Sequence, residues 1–211
     1  VYIGFQRPPD QAEWYRIIAE QDLEAMEACF DRVPVAPGDL LLIEGGVPHA
    51  IGPGITMVEI QEPTDYVVRC EYAHGGLELP ESARTMGLGI ERVLDMFDYT
   101  TYPADRVKAR FGPRARVIKE DGNGREVVLL EAPQTDRLEV RKIETDGHFQ
   151  LDLDNRFSVG IVLEGEGTLS AAGVTLPLMP WSRILLPATL SSVIVNGTLT
   201  MARCLPPRAK K

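Results

Sequence analysis

The most constraining feature of this chain is the pattern that fills its second half. From Glu126 it reads "EVVLLEA", "LEVRKIE", "HFQLDL", "FSVGIVLEGEGTLSAAGVTLPL", "SRILLPATLSSVIV" and "TLTMARCLP", short apolar stretches parted by turn formers. Stretches this short and this closely spaced read as strands. Strands need neighbours to satisfy their backbones and a second layer to cover their apolar face. A double-sheet jelly roll or a small barrel meets both needs. Just ahead of them, "EDGNGR" carries an Asn-Gly pair that marks a hairpin turn. It lacks the glycine-rich strand-to-helix setting of a phosphate loop.

The first half is mixed. Residues 1–6 alternate as a short strand, and a helical stretch follows. Asp10 with Glu13 three positions on is a capping-box pattern. Trp14, Ile17, Ile18, Met26, Cys29 and Phe30 recur at helical spacing, with a break at Asp22 into two short helices. Strand character returns at 33–35, 39–43, 55–62 and 66–72. After an irregular stretch over 73–86, "MGLGIERVLDMF" predicts a helix over about 86–98 with Met86, Ile90, Val93, Leu94 and Phe97 on one face.

A chain of 211 residues with 44% hydrophobic residues can bury one large core or two small ones. The net charge of −9 argues against a nucleic-acid partner, because phosphates are neutralised by clustered Lys and Arg. No apolar run reaches the roughly 20 residues of a membrane span, so no membrane partner is expected. Cys29, Cys70 and Cys204 are far apart and read as thiols of a reducing compartment, which implies a cytoplasmic location. The sequence opens with "VYIGF" rather than Met, and reads as a piece of a longer or processed polypeptide.

One segment carries chemistry. Gly38, Glu44, Gly46 and His49 stand in the spacing G-(x)5-P-x-G-(x)2-H, with Glu44 in the proline place. In this pattern a strand runs in, a glycine turn reverses it, and a histidine points toward a barrel mouth. Taken alone, such a histidine is equally a hydrogen-bonded polar residue at a strand end. The pattern resembles the second signature of cupin barrels. The longer run "PHAIGPGITMVEIQEPTDYVVR" resembles type I mannose-6-phosphate isomerases, especially their short bacterial forms. Pro48–Gly52 matches the family's "PHAIG", followed by Glu59–Gln61, Thr64–Asp65 and Arg69. "IERVLDMFDY", "VLEGEGTL" and "LLPATL" are similar to its connector helix and its C-terminal cupin.

The resemblance implies an all-β fold with a few helices, built of cupin jelly-roll barrels, the first incomplete and the second degenerate. Residues 1–72 would be the C-terminal part of the first barrel, with a helical insertion at about 8–32. Residues 73–125 would be a connector, and 126–211 a second, metal-free barrel. By the same resemblance His49 is a zinc ligand and Arg69 a catalytic residue for interconverting mannose 6-phosphate and fructose 6-phosphate. Glu59, Gln61 and Asp65 would bind substrate. Such a reaction passes through an enediolate, whose oxyanion a Lewis acid or a guanidinium stabilises. Strand alternation puts Asp65 and Arg69 on one face, and Glu59 and Gln61 together on another strand, whose cavity side stays open.

The sequence departs from the family in its ligands. The family draws further zinc ligands from a Gln-x-His pair and a glutamate, and no Gln-x-His occurs here. A catalytic zinc site needs about three protein ligands. The expectation is therefore an isomerase whose zinc site is complete only in an intact parent protein, this chain alone being inactive and holding zinc poorly or not at all. In the second half the motif places are held by Trp181, Pro187, Thr189 and Ser192, so no ligand remains. Two other readings stand beside this one. One is a non-catalytic cupin that binds a sugar or sugar phosphate. The other is a piece that self-associates through its open first barrel.

Overall fold

The computed structural model describes residues 1–62, 64 and 66–208. The chain forms two compact units, Val1–Gly112 and Pro113–Lys211.

In the first unit, α1 (Gln11–Glu20) and α2 (Leu23–Ala28) form where capping predicts them. Asp10 Oδ1 accepts from the Glu13 N–H at 2.8 Å, and Asp22 Oδ1 accepts from the Ala25 N–H at 3.0 Å, so each helix start gains a partner for an orphan donor. Gln21 stops α1 in the left-handed conformation, with φ 51°. The inner face of α1 buries Trp14, Ile17 and Ile18 against Phe5, Cys29 and Leu94. Phe5 and Trp14 meet edge to face, their centroids 5.2 Å apart. Two short strands, β1 (Tyr2–Ile3) and β2 (His49–Ala50), pair antiparallel with Ile3 opposite His49. A hairpin of β3 (Ala73–His74) and β4 (Leu77–Glu78) leads into α3 (Glu81–Arg84). Then come α4 (Ile90–Leu94) and α5 (Ala104–Phe111), the latter burying Val107 and Phe111 with Ile3, Val33 and Val47.

Several strand expectations fail here. Among the described residues, 33–35, 39–43, 55–62 and 66–72 form no strand, and 1–6 shrinks to β1. Alternation of apolar and polar residues alone makes no strand, because a ladder needs a partner strand alongside. What they find instead is scattered anchors, such as the Leu42 N–H on the Phe111 carbonyl at 2.7 Å. The helix expected over 86–98 contracts to α4, because Met86 and Gly89 sit at φ 53° and 82° and cannot lie within a helix. Val93 and Leu94 of its stripe are buried, while Met86 is exposed.

The second unit is one antiparallel sheet. Its strands are β5 (Arg116–Asp121), β6 (Gly124–Leu130), β7 (Glu139–Asp152), β8 (Ser158–Ala171), β9 (Val174–Leu178), β10 (Arg183–Leu186) and β11 (Ser192–Leu205). They run in the order β10-β8-β11-β7-β6-β5, with β9 on the far half of β8. Among the described residues this path is open and does not close into a ring. Gly122 and Asn123 make the expected hairpin turn between β5 and β6.

Three strands pair closely at a row of glycines. Gly147, Gly197 and Gly167 are direct cross-strand partners on β7, β11 and β8. A Cβ on Gly197 would lie 2.5 Å from the Glu166 carbonyl oxygen, and one on Gly167 would lie 2.3 Å from that of Asn196. Only glycine lets the backbones approach this closely. Odd-numbered residues of β7 and β11 face inward, so Ile143, Phe149, Leu151, Val193, Val195 and Met201 share one core.

The inner face also carries charge. Arg141 and Arg203 are 2% and 0% exposed, and Glu126 and Glu139 are each 2% exposed. Arg141 donates to Glu139 at 2.6 Å, Glu126 at 2.9 Å and Asp154 at 2.5 Å. Arg203 donates to Ser158 Oγ at 2.9 Å, Glu126 at 3.1 Å and the Asp152 carbonyl at 3.0 Å. Burial pushes the Arg141 guanidinium down, but its carboxylates outweigh that and hold it above the ordinary value. For Arg203 burial wins, and its guanidinium falls below the ordinary value. Arg156 closes the network on Glu139 at 2.7 Å.

Candidate functional site

The cupin-like motif has a physical basis in its glycines. Gly38 and Gly46 both sit at positive φ, 91° and 86°. Gly38 closes a turn in which the Asp39 N–H donates to the Ala36 carbonyl at 3.0 Å. Gly46 lies so near the 96–98 segment that a Cβ would be 2.5 Å from the Met96 carbonyl oxygen. Its own carbonyl accepts from the Asp98 N–H at 2.8 Å. Glu44, in the place of the motif proline, pairs with Arg110 of α5.

This turn delivers His49 onto β2 with an exposed side chain. Nδ1 lies 2.9 Å from the Val47 carbonyl oxygen. A carbonyl can only accept, so Nδ1 carries the proton and donates it. In the neutral ring this leaves the Nε2 lone pair available to a metal or a substrate hydroxyl. An imidazole oriented through its other nitrogen is the usual arrangement of a metal ligand.

Arg69 is exposed and held at both ends by carbonyls. Its N–H donates to the Arg84 carbonyl at 2.9 Å and its Nη1 to the Ala83 carbonyl at 2.8 Å. Glu59 and Gln61 are exposed. Among the described residues no hydrogen bond or ion pair joins His49, Glu59, Gln61 and Arg69 to one another. Asp65, the remaining candidate, lies outside the described residues. His74 is exposed, with its Nδ1 2.7 Å from Glu71 Oε1.

In the second unit the motif places are solvent-side. Ser192, in the histidine place, pairs with Asp152 in register and precedes the buried Val193, so it faces away from the core. The buried charges on β6, β7 and β11 escaped the sequence reading. Their signal was the odd parity shared by Glu139, Arg141 and Ile143 within "LEVRKIE".

Among the described residues no group of three or more His, Cys, Asp or Glu side chains is placed to hold a metal ion. A zinc site needs about three protein ligands. His49, the ligand offered by the motif, belongs to no such group among the described residues. No helix among them is long and apolar enough to cross a membrane.

Comparison with known proteins agrees with this fold. Across 96% of the chain and 59% of the other, the structure superimposes on the mannose 6-phosphate isomerase from Bacillus subtilis with a TM-score of 0.71 at 18% identity. The fold is of the cupin type, mostly β with few helices. The family description "Mannose-6-phosphate isomerase, cupin domain" matches residues 130–206. Two curated relatives come from Bacillus subtilis (strain 168). "Putative mannose-6-phosphate isomerase YvyI" is 25% identical over 177 residues, covering 83% of this chain and 51% of that protein. "Probable mannose-6-phosphate isomerase GmuF" is 26% identical over 167 residues, covering 79% and 49%. The chain is similar to cupin-type mannose-6-phosphate isomerases, and it spans about half the length of the curated relatives it matches.

Proposed function

We propose that this chain forms part of an aldose–ketose isomerase that interconverts mannose 6-phosphate and fructose 6-phosphate. One observation carries the reading. The likeness to named isomerases runs over 177 residues, more than the 99 residues of the second unit (211 − 112), so it takes in the unit that holds His49, Glu59, Gln61 and Arg69. In this reading 1–72 ends a first cupin barrel, 73–125 connects, and 126–211 is the second barrel.

The chemistry assigns roles. Moving a proton between adjacent sugar carbons develops negative charge on an enediolate oxygen. The planar guanidinium of Arg69 can hold that oxygen through paired N–H donors. Glu59, Gln61 and Asp65 bind the sugar hydroxyls or phosphate. His49 is one ligand of a zinc site whose other ligands come from outside the described residues.

The test is a coupled assay of fructose 6-phosphate formation from mannose 6-phosphate with added zinc. It is run on the chain and on a fusion in which this sequence replaces the corresponding half of YvyI. The expected result is turnover by the fusion alone, lost on Arg69→Met or His49→Ala. A folded, active fusion indifferent to both substitutions would refute the assignment. The absence of a three-ligand group among the described residues favours a second reading, a non-catalytic cupin that binds a sugar phosphate. That reading expects saturable binding with no turnover by either protein.

A further inference from the structure

The contacts around Arg69 form a chain that begins at α1. Gln21, the residue that stops α1, accepts from the Tyr72 N–H at 2.8 Å and the Ala73 N–H at 3.0 Å. The Tyr72 hydroxyl donates to the Ala19 carbonyl at 3.2 Å, so the ring is pinned at both ends. The Arg84 guanidinium lies 3.7 Å from the centroid of that ring, donates to the Leu79 carbonyl at 2.8 Å and pairs with Glu78 at 2.7 Å. A planar cation stacked on a ring and held by two acceptors has one geometry. The carbonyls of Ala83 and Arg84, fixed by that geometry, then receive Nη1 and the N–H of Arg69.

We infer that Arg84 is a positioning residue that sets the Arg69 guanidinium toward a sugar-phosphate substrate, acting through the carbonyls at the end of α3 and never touching the substrate itself. The inference rests on the reading of Arg69 as a substrate contact. An exposed arginine samples many rotamers, and holding it in one lowers the entropy lost on engaging an anion. Two successive carbonyls hold Arg69, and Arg84 holds the carbonyls. Tyr72 supplies the platform and Gln21 ties the platform to α1.

The test titrates mannose 6-phosphate into the full chain by calorimetry and follows the arginine Nη resonances by NMR at low temperature. Arg84→Met should weaken binding about fivefold to tenfold and free the Arg69 Cζ–Nη rotation, with thermal unfolding little changed. Arg84→Lys, which keeps the charge without the planar fork, should fall between the two. Tyr72→Leu removes the platform and should act in the same direction. It serves if Arg84→Met does not fold. Wild-type affinity in a folded Arg84→Met or Tyr72→Leu chain overturns the inference and leaves the Arg69 assignment intact. Binding that survives Arg69→Met, or no binding by the wild-type chain, overturns the assignment and the inference with it.

Discussion

Arg141 and Arg203 stand directly opposite each other on β7 and β11, both buried, and share one carboxylate oxygen, Glu126 Oε1, at 2.9 and 3.1 Å. Like charges in register destabilise a sheet. Here the glutamate from β6 lies between them and turns a repulsive pair into a triad. Desolvating these ions costs much of what their attraction returns. Glu126→Gln keeps the shape and removes the charge, leaving buried Arg203 without its carboxylate and Arg141 with Glu139 and Asp154 alone. Urea unfolding should show a loss of about 3–5 kcal/mol. Replacing all three residues with apolar side chains of similar volume should cost far less, or stabilise. A triple variant weaker than Glu126→Gln would show that the triad is a net source of stability.

The same network makes the second unit sensitive to acid. Burial pushes the Glu139 carboxyl up, but hydrogen bonds from Arg141 and Arg156 outweigh it and hold the group below its ordinary value. Asp154 is treated alike by burial and by Arg141. A depressed folded value means stability that is fully present above the unfolded value, about 4.3 for Glu and 3.9 for Asp, and lost as pH falls through the folded one. The urea midpoint should therefore be flat from pH 7 to about 5 and fall below about 4. In Glu139→Gln the midpoint at pH 7 should be lower and the acid slope shallower. An unchanged slope would place the acid sensitivity elsewhere.

What could be read from the sequence divides by whether the cause is local. The Asp10 and Asp22 caps act within three residues, so α1 and α2 were readable where they form. The period-2 alternation of the second half survives best in β7, β10 and β11, where alternate residues are buried. The stretches 55–62 and 66–72 carry the same alternation and form no strand, since pairing depends on a distant partner that the pattern does not name. Gly38 and Gly46 were readable as turn glycines because positive φ has a residue signature. Arg141 was not readable as a core residue, because one charged side chain on the inner face looks like an outer-face residue until Glu126 and Arg203 are placed beside it. His49 was found by its motif, whereas the contacts that hold Arg69 come from α3 and were invisible.

Close pairing of β7, β11 and β8 depends on the glycine row. Gly197 has φ 130° and a hypothetical Cβ 2.5 Å from the Glu166 carbonyl oxygen. Gly173 has φ 80° and open space around it. Gly197→Ala should therefore cost about 3 kcal/mol or more through clash and strain together, and Gly173→Ala only about 1 kcal/mol through strain alone. Thermal unfolding of the two variants checks the order. Equal losses would mean that the three strands can separate at the glycine row without penalty.

Gln21 clamps the 70–73 segment with its whole amide. Its oxygen accepts from the N–H groups of Tyr72 and Ala73, and its nitrogen donates to the carbonyls of Ile18 at 2.7 Å and Cys70 at 2.8 Å. Gln21→Leu leaves two amide donors and the Cys70 carbonyl without this partner, while the Ile18 carbonyl keeps the backbone N–H of residue 21. At about 0.5–1.5 kcal/mol per hydrogen bond, the segment should open more easily by about 2 kcal/mol or more. Amide exchange at Tyr72 and Ala73 should then accelerate roughly 30-fold, while exchange in the interior of β11 stays as it was. A left-handed φ of 51° disfavours leucine as well, which would loosen the end of α1. Gln21→Asn separates the two effects, since asparagine tolerates that conformation but is too short to bridge both strands of contact. It should speed Tyr72 and Ala73 exchange nearly as much as leucine does. If it leaves them slow, the helix stop, and not the amide clamp, fixes this segment.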